Sequence, residues 1–395
     1  MTAREIKPGV HAIASVHWER RLFDSLIPLP DGTSYNAYLV KGSAATALVD
    51  TTDPDLRNDL LDQLADVATV DYLVSNHTEQ DHSGLLPELM ARYPKAVLLC
   101  SAKAQDLLST HLGIPAERLR VVKDGEEVSL GDKTLRFVYT PWVHWPETMC
   151  TYVPESKLLF SCDFFGSHLA TSDIFVTDKA QTLRAAKRYF AEIMMPFRAA
   201  IQGNLKKVEA LDFDMIAPSH GPVYDDPAFI VEAYREWTSP KLRNEVCLPY
   251  VSMHGSTKLM VHHLVDALVK RGVKVHAFEL TVTDIGDLAM SLVDAATLIA
   301  ATPTVHVGAH PAIYYASYIA NMVRPKLKYA AVIGSYGWAS KAVDQVAGQI
   351  PNLKVQILGT VMQKGLPTAE TYAKLDELAD AVAKAHADDP DVVKD

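Results

Sequence analysis

The chain has 395 residues, a length that two domains accommodate better than one hydrophobic core does. Apolar residues make up 48% of the chain and charged residues 22%, which is typical of a globular protein and excludes a disordered or fibrous one. The formal net charge is -10 and no sustained run of lysine or arginine occurs, so nucleic acid is not expected as a partner.

The N-terminus indicates the cellular compartment, and the cysteine spacing excludes several kinds of site. The first residues lack a charged segment followed by an apolar one, and no apolar run of about 18 residues occurs elsewhere, so we expect a soluble, cytoplasmic protein without a membrane segment. Cys100, Cys150, Cys162 and Cys247 form no C-x-x-C pair, which excludes a zinc ribbon, a rubredoxin-like iron site and a disulfide framework.

The first 225 residues alternate short β-like runs with helical ones. Two strands flank the turn signal at 41–43, a helix follows over 54–67, and a short apolar strand occupies 71–76. Further strands are predicted, separated by polar turns, over 118–124, 133–141, 149–156 and 157–163. Many strands and few helices indicate two packed sheets flanked by helices.

The second half has a different pattern of predicted strands and helices. Residues 226–247 are interpreted as a helical connection, and helical segments such as 256–271 then separate further strands. Five apolar strands are predicted over 247–253, 273–280, 296–304, 328–336 and 353–361. Such βα alternation predicts a parallel sheet covered on both faces. We therefore expect domains at 1–247 and 248–395, with a polar tail, 387–395, that frays.

The segment "SNHTEQDHSG", residues 75–84, concentrates ionisable groups where a predicted strand ends and a helix begins. Alternate side chains of an extended segment point to the same side, so His77, Glu79 and Asp81 can converge. His82 is adjacent to Asp81, so one of the two must face a different point, which favours two neighbouring metal ions over one. Burying such charges together without a cation would be costly.

Three more candidate ligands, His144, Asp163 and His220, stand at the ends of predicted strands. The order resembles the metallo-β-lactamase superfamily pattern, H-x-H-x-D-H followed by His, Asp and His, but Glu79 replaces the second histidine. Imidazole-rich sites favour zinc, whereas carboxylate-rich sites favour iron or manganese. The remaining singled-out histidines are interpreted as structural: His11, His17, His111, His168, His262, His263 and His276.

Three loops of the second half predict a flavin mononucleotide (FMN) site. "YVSMHGSTKL" (250–259) runs from a strand through small and hydroxyl residues into a helix, where backbone N–H groups can bind phosphate. "TPTVHVGAHP" (302–311) and "GSYGWAS" (334–340) follow the third and fourth strands, which flank the ligand in a sheet of order 2-1-3-4-5. The candidate FMN-binding residues are Ser252, Met253, His254, Gly255, Ser256, Thr257, Thr302, Pro303, Thr304, Val305, His306, Ser335, Tyr336, Gly337 and Trp338.

These motifs, with "RRLFDSLIPLPDGTSYNAYLV" (20–40), resemble the flavodiiron proteins, also called A-type flavoproteins. The resemblance implies an N-terminal metallo-β-lactamase-like αββα sandwich followed by a flavodoxin-like, doubly wound α/β domain. It also implies two irons with Asp163 as the bridge, the first held by His77, Glu79 and His144 and the second by Asp81, His82 and His220. Two departures lie in the flavin loops, where His306 stands in place of a common Asn and 339–340 in place of a frequent Gly.

The resemblance implies reduction of O2 to water, of NO to N2O, or of both, in a head-to-tail homodimer that can extend to a tetramer. An external donor such as rubredoxin would supply electrons through FMN. Trp145 is expected near the metals, and Phe164, Phe165 and Tyr189 are expected to wall the substrate pocket. Two alternatives stay open: a dizinc hydrolase of the metallo-β-lactamase superfamily, and a non-catalytic electron carrier or redox sensor with a structural metal site.

Overall fold

The computed structural model describes residues 2–393, and the chain divides into two compact units. The first unit runs to Tyr189 and resumes over Phe197–Thr238; the second takes Phe190–Pro196 and the described chain from Ser239 onward. Within residues 2–393, no helix combines the length and apolar character that a membrane crossing requires. The four cysteines are buried and free, as the sequence predicts.

The strands of the first unit form two main sheets. They are β1 (Arg4–Lys7), β2 (Val10–His17), β3 (Leu22–Phe23), β4 (Ile27–Pro28), β5 (Thr33–Lys41), β6 (Thr46–Val49), β7 (Tyr72–Ser75), β8 (Val97–Cys100), β9 (Leu119–Val121), β10 (Glu127–Ser129), β11 (Thr134–Tyr139), β12 (Met149–Val153), β13 (Leu158–Cys162) and β14 (Met215–Pro218). One sheet has the order β1-β2-β5-β6-β7-β8-β9 and the other β10-β11-β12-β13-β14, while β3 and β4 form a separate hairpin.

Helices accompany these sheets. They are α1 (Arg57–Gln63), α2 (Gln80–Ser83), α3 (Leu86–Arg92), α4 (Ala104–Leu112), α5 (Lys179–Tyr189), α6 (Arg198–Glu209) and α7 (Ala228–Thr238). A π-helical turn, Phe190–Met194, continues directly from α5 and belongs to the second unit.

Strict alternation along β6 to β8 assigns the two faces of the first sheet. Val49, Val74 and Leu99 belong to the apolar core that also contains Phe137 and Phe160 of the other sheet. The preceding residue of each strand turns the opposite way, because successive strand side chains point to opposite faces. Those residues join the side chains of α1, α3 and α4 in a separate core: Leu48, Leu73 and Leu98. The predicted packing of two sheets with flanking helices is therefore confirmed.

The second unit contains one larger sheet and its helices. Its strands are β15 (Leu242–Tyr250), β16 (Lys274–Glu279), β17 (Ala295–Val305), β18 (Gly308–Ala309), β19 (Tyr329–Tyr336), β20 (Gln356–Lys364) and β21 (Val392–Val393). Its helices are α8 (Ser256–Lys270), α9 (Ile285–Leu292), α10 (Pro311–Val323), α11 (Ala342–Gln349) and α12 (Ala369–Asp388). The main order is β16-β15-β17-β19-β20 with parallel pairing, which confirms the predicted order 2-1-3-4-5.

Two expectations for this half differ from the structure. Residues 242–247, expected in a helical connection, form the first part of β15, so the chain changes unit after Thr238 instead of after Cys247. The tail expected to fray pairs through Val392 and Val393 with the start of β15, whereas Lys394 and Asp395 lie outside the described residues. The pairing uses backbone groups, which polar composition alone does not reveal.

A buried polar network holds α12 against this sheet. The His386 side chain lies in it, with Nε2 2.6 Å from Thr297 Oγ1 and Nδ1 2.8 Å from Asn244 Oδ1. The Asn244 amide nitrogen donates to Gly272 O at 2.8 Å, so its oxygen faces His386 and accepts the Nδ1 proton. His386 is therefore neutral, and burial lowers its pKa to about 4.

Acid should weaken this network. The pKa of His386 is about 4 in the folded chain and near 6.5 in the unfolded chain. The stabilisation that the neutral ring gives to the folded state is therefore complete above pH 6.5 and is lost as the pH falls toward 4. We expect the free energy of unfolding to fall between pH 7 and pH 4.5 by about 2 kcal/mol more in the wild-type chain than in His386→Gln, which does not titrate. Urea denaturation at both pH values measures this; equal losses in the two proteins would contradict it.

Candidate metal centre and cofactor pocket

The ionisable side chains selected from the sequence converge in the first unit. Their ligand atoms form two groups, each within 4.8 Å: His77, Glu79, His144 and Asp163 in one, and Asp81, His82 and His220 in the other. Burial is nearly complete, since His77 and His82 are 0% exposed and Asp163 1%. Both groups are therefore built into the interior and not scattered over the surface.

Strand ends and one short helix position these residues. His77 and Glu79 lie in the loop after β7, and α2 begins at Gln80, which turns Asp81 away from them. The prediction that residues 77, 79 and 81 converge from an extended segment is therefore wrong for Asp81, which joins His82 and His220. Because β13 and β14 are parallel neighbours, their carboxyl ends bring Asp163 and His220 together.

In the first group, two imidazoles face the same carboxylates. His77 Nε2 and His144 Nε2 each lie 3.1 Å from Glu79 Oε2 and 3.4 Å from Asp163 Oδ2. Two ligands about 2.0–2.2 Å from one ion, at angles between octahedral and tetrahedral, would be roughly 2.9–3.5 Å apart. These spacings fit a single cation among the four groups.

The second group has similar spacing, and Asp163 of the first group also lies beside it. His82 Nε2 lies 3.3 Å from Asp81 Oδ2 and 2.9 Å from Asp163 Oδ1, and His220 Nε2 lies 3.4 Å from each of these oxygens. Asp163 thus offers Oδ2 to the first group and Oδ1 to the second. That is the arrangement of a carboxylate that bridges two cations.

Several of these atoms are buried without a hydrogen bond. Among the described residues, both carboxylate oxygens of Asp81, both ring nitrogens of His82 and Oδ1 of Asp163 lack one. A buried polar atom without a partner is costly, and metal coordination satisfies it. The donor set therefore fits two cations.

Charge pairing also shifts the pKa values of the ligands. Burial opposes ionisation, yet facing charges raise the pKa of His144 to about 9 and that of His220 to about 10. Against the same cost of burial, the histidines lower the pKa values of Glu79 and Asp163. Because ligating imidazoles must be deprotonated, bound cations would displace these protons.

A layer of residues behind the ligands was missed in the sequence. Glu147 accepts from His77 Nδ1 at 2.7 Å, and the Ser34 carbonyl accepts from His220 Nδ1 at 2.9 Å. Position 147 follows ligand His144 by three residues, and a carboxylate so close to a ligand is a signal that could have identified it. A backbone carbonyl such as that of Ser34 gives no such signal.

Aromatic neighbours were predicted with mixed success. Trp145 lies edge-on to His77 at 5.1 Å between ring centroids, and Tyr189 lies 5.7 Å from His220, as expected near the centre. Phe164 and Phe165 stack on each other at 4.1 Å and pack against Tyr234, so their ring contacts belong to the core. His168, predicted to be structural, lies 4.8 Å from His220 and donates to or accepts from Thr33 Oγ1 at 2.9 Å.

Most of the predicted flavin loops border one cavity of about 210 Å³ in the second unit. Its lining residues are Ser252, Met253, His254, Ser256, Thr257, Pro303, Thr304, Ser335, Tyr336, Gly337 and Gly365. Gly365 was not predicted, because it follows β20, the fifth strand, and only the loops after the first, third and fourth strands were selected. Five predicted residues do not line the cavity: Gly255, Thr302, Val305, His306 and Trp338.

The cavity fits a phosphate group held without a cationic side chain. It opens at the N-terminus of α8, whose N-cap Gly255 has φ of 90° and no side-chain capping bond. The first N–H groups of a helix favour an anion, and the hydroxyls of Ser252, Ser256 and Thr257 line the same cavity. Gly334 lets β17 and β19 approach beside it, since a Cβ there would lie 2.0 Å from Thr302 O. Trp338 is 78% exposed and presents a free aromatic surface.

Comparisons with known proteins agree with this architecture. Residues 33–221 match the family described as ODP family beta lactamase. The chain is 35% identical to a nitric oxide reductase of Moorella thermoacetica over 97% of this chain and 98% of that protein. Its structure is similar to the rubredoxin oxygen:oxidoreductase of Desulfovibrio gigas, with a TM-score of 0.93 and 29% identity over 97% of this chain and 98% of that one. A flavodiiron protein from Giardia intestinalis gives 0.89 and 26% identity, with 98% of each chain covered.

Removing the shared carboxylate should affect both cation sites. We expect Asp163→Asn, which keeps the size of the side chain, to retain less than one equivalent of Fe(II) or Co(II) after anaerobic loading and desalting, against two for the wild-type chain. Elemental analysis measures the ratio. Glu245→Gln is the matched control, since Glu245 is a buried carboxylate of the second unit that pairs with Lys274 Nζ at 2.9 Å and His276 Nε2 at 3.0 Å. Retention of two equivalents by Asp163→Asn would contradict the bridging role.

Proposed function

The chain belongs to the flavodiiron protein family, and on that premise we propose that it is an oxidoreductase that reduces O2 to water, NO to N2O, or both. The observation that carries the proposal is the donor set of the metal centre. Three carboxylates, with Glu79 in the position where zinc hydrolases have histidine, favour redox-active iron over zinc. The names of the similar proteins, a nitric oxide reductase and a rubredoxin oxygen:oxidoreductase, support the two gases as substrates.

We assign the ligands by the two groups of side chains. His77, Glu79 and His144 would hold one iron and Asp81, His82 and His220 the other, while Asp163 would offer one oxygen to each. When bound, the two irons and FMN supply the electron storage and the reduction of the gas, which no side chain of the chain can perform. The chain's own part is to hold these groups, to exclude water and to select the substrate.

Aromatic rings around His220 support a small uncharged substrate. The rings of Tyr35, Tyr189 and His168 have centroids 5.3, 5.7 and 4.8 Å from that of His220, and Phe23 follows at 6.5 Å. Burial and the neighbouring His220 hold the pKa of His168 well below its usual range, so this ring adds no positive charge. These four rings supply no cationic partner for the phosphodiesters or carboxylates that a dizinc hydrolase would bind, and they favour a small uncharged gas instead.

The pocket of the second unit is assigned to FMN. The N-terminus of α8, with Ser256 and Thr257, would bind the phosphate, and the exposed ring of Trp338 would offer a surface to the flavin. Thr257 is held in place by a hydroxyl–hydroxyl bond of 2.9 Å to Ser335. His306 and Trp338 would complete the flavin site only at its open rim, since neither lines the cavity.

The proposed partners are an external electron donor and a second copy of the chain. A small redox protein such as rubredoxin is the proposed donor, in the cytoplasm, and a head-to-tail homodimer, able to extend to a tetramer, is the proposed assembly. Both follow from the family resemblance.

We expect sedimentation velocity of the FMN- and iron-loaded protein to show a dimer or tetramer; a monomer with full donor-linked activity would contradict this assembly.

The decisive experiment follows each gas separately. The protein is loaded with iron, reduced under anaerobic conditions and then mixed in a stopped-flow instrument with a solution of O2 or of NO. We expect its flavin to be reoxidised within the first turnover by at least one of the two gases. His144→Ala, which removes one ligand and leaves the FMN pocket intact, should keep the flavin and lose this reaction by roughly 10²-fold or more. Two zinc ions with hydrolytic turnover, or equal flavin reoxidation in His144→Ala, would contradict the proposal.

A further inference from the structure

Glu147 lies directly behind His77, on the side of the ring opposite the metal-facing nitrogen. Its Oε1 is 2.7 Å from His77 Nδ1, 3.1 Å from the Thr78 amide nitrogen and 2.8 Å from Thr78 Oγ1. The side chains of Glu147 and His77 are both 0% exposed. A carboxylate is thus enclosed in the interior with all three of these contacts on one oxygen.

The surroundings hold this carboxylate in a fixed position. Ser101 Oγ donates to the Glu147 backbone oxygen at 2.6 Å, so the residue is anchored through its main chain as well as its side chain. Trp145 packs edge-on against His77 with ring centroids 5.1 Å apart. Neither Glu147 nor the imidazole can therefore turn without breaking buried contacts.

These contacts determine which nitrogen of His77 is available to a cation. Oε1 of Glu147 accepts from the Thr78 N–H and O–H, so Nδ1 of His77 is a third donor and carries a proton. The lone pair of the neutral ring is then on Nε2, which points toward Glu79 Oε2 at 3.1 Å and Asp163 Oδ2 at 3.4 Å. Glu147 selects the tautomer that ligation requires.

The second group of ligands lacks such support. Nδ1 of His220 donates to a neutral backbone carbonyl, that of Ser34, at 2.9 Å. Nδ1 of His82 has no hydrogen-bond partner in the described part of the chain. A carboxylate behind an imidazole raises its basicity and fixes its orientation more than a carbonyl does. The two halves of the centre are therefore unequal.

We infer that Glu147 is a positioning residue that fixes His77 as a metal donor and makes the site of His77, Glu79 and His144 the tighter of the two. The inference rests on the proposed function insofar as both groups bind metal ions. It concerns an asymmetry between them that the ligand identities alone do not give.

The test uses metal alone and needs no turnover. Co(II) is titrated anaerobically into the metal-free, FMN-containing protein against a competing indicator, and its visible absorbance reports the coordination of each site. Glu147→Gln keeps the size and one acceptor oxygen but removes the charge. We expect it to weaken the tighter site by roughly 10- to 100-fold, to alter that site's Co(II) spectrum, and to leave the weaker site within about twofold. Glu147→Asp, which keeps the carboxylate, should restore part of the loss.

Two further variants keep the test decisive. Glu245→Gln removes a buried carboxylate of the second unit, which pairs with Lys274 Nζ at 2.9 Å and His276 Nε2 at 3.0 Å, and should leave both affinities within about twofold, which separates positioning from a general loss of stability. Thr78→Val removes one hydrogen bond to Glu147 without changing volume and should weaken only the tighter site, which provides an answer even if Glu147→Gln does not fold. The inference is overturned if Glu147→Gln binds both ions like the wild type, if Glu147→Asp restores nothing of the loss, or if Thr78→Val leaves the tighter site unchanged. A wild-type chain that takes up no pair of ions would instead overturn the proposed function.

Discussion

Three carboxylates and four imidazoles lie together in the interior of the first unit, and the pairing of their charges is the constraint on which the site depends. Desolvated charges of this density are unfavourable unless they are paired in good geometry, and several of their atoms lack hydrogen bonds within residues 2–393. Spacings of 2.9 to 3.4 Å between ligand atoms are what two cations would impose. The strand ends, the start of α2 and the loop carrying His144 are the elements that bring these groups together.

The residues behind the ligands make the two ligand groups unequal. Asp163 divides its two oxygens between the groups, but Glu147 supports only His77. With Glu147 included, four carboxylates stand against the formal charge of two divalent ions, so the loaded centre approaches neutrality. A neutral centre within aromatic walls suits an uncharged diatomic gas, because neither binding nor release then separates charge.

The cavity of the second unit is suited to an anionic group instead of cations. A phosphate carries negative charge, yet the lining of the cavity contains no lysine or arginine. The N-terminus of α8 and a set of hydroxyls replace them, since oriented N–H groups concentrate partial positive charge without a mobile side chain. In both units the chemistry lies where strands end, because there side chains and amides leave the sheet and become available to a ligand.

The local signals in the sequence were sufficient for the fold class, and they selected candidate site residues many of which the fold brings together. The dense run from His77 to His82, the hydroxyl loop before α8 and five apolar strands carry strong local patterns. The βα alternation predicted a parallel sheet, and the order 2-1-3-4-5 came from the likeness to a flavodoxin-like fold. Some elements were not predicted: β8 is only four residues long, and the buried face of α5 is made mostly of small and polar residues. The helix α6 was overlooked although Ile201, Leu205 and Val208 lie on one face of it. The first part of β15 was mistaken for a connection because "LRNE" is polar, although backbone pairing places it in the sheet.

What the sequence indicated by itself is the set of candidate ligands, the type of metal that they favour and the architecture of both halves, since residue chemistry and periodicity are local properties. The partition of those ligands was decided by tertiary structure: the start of α2 at Gln80 sends Asp81 to His82 and His220 and leaves Glu79 with His77. The tertiary structure also placed Glu147 behind His77 and Gly365 beside the cofactor cavity. Contacts between residues far apart in the chain depend on how strands pair and where they end, so a local pattern can mark Glu147 as a candidate but cannot place it behind His77.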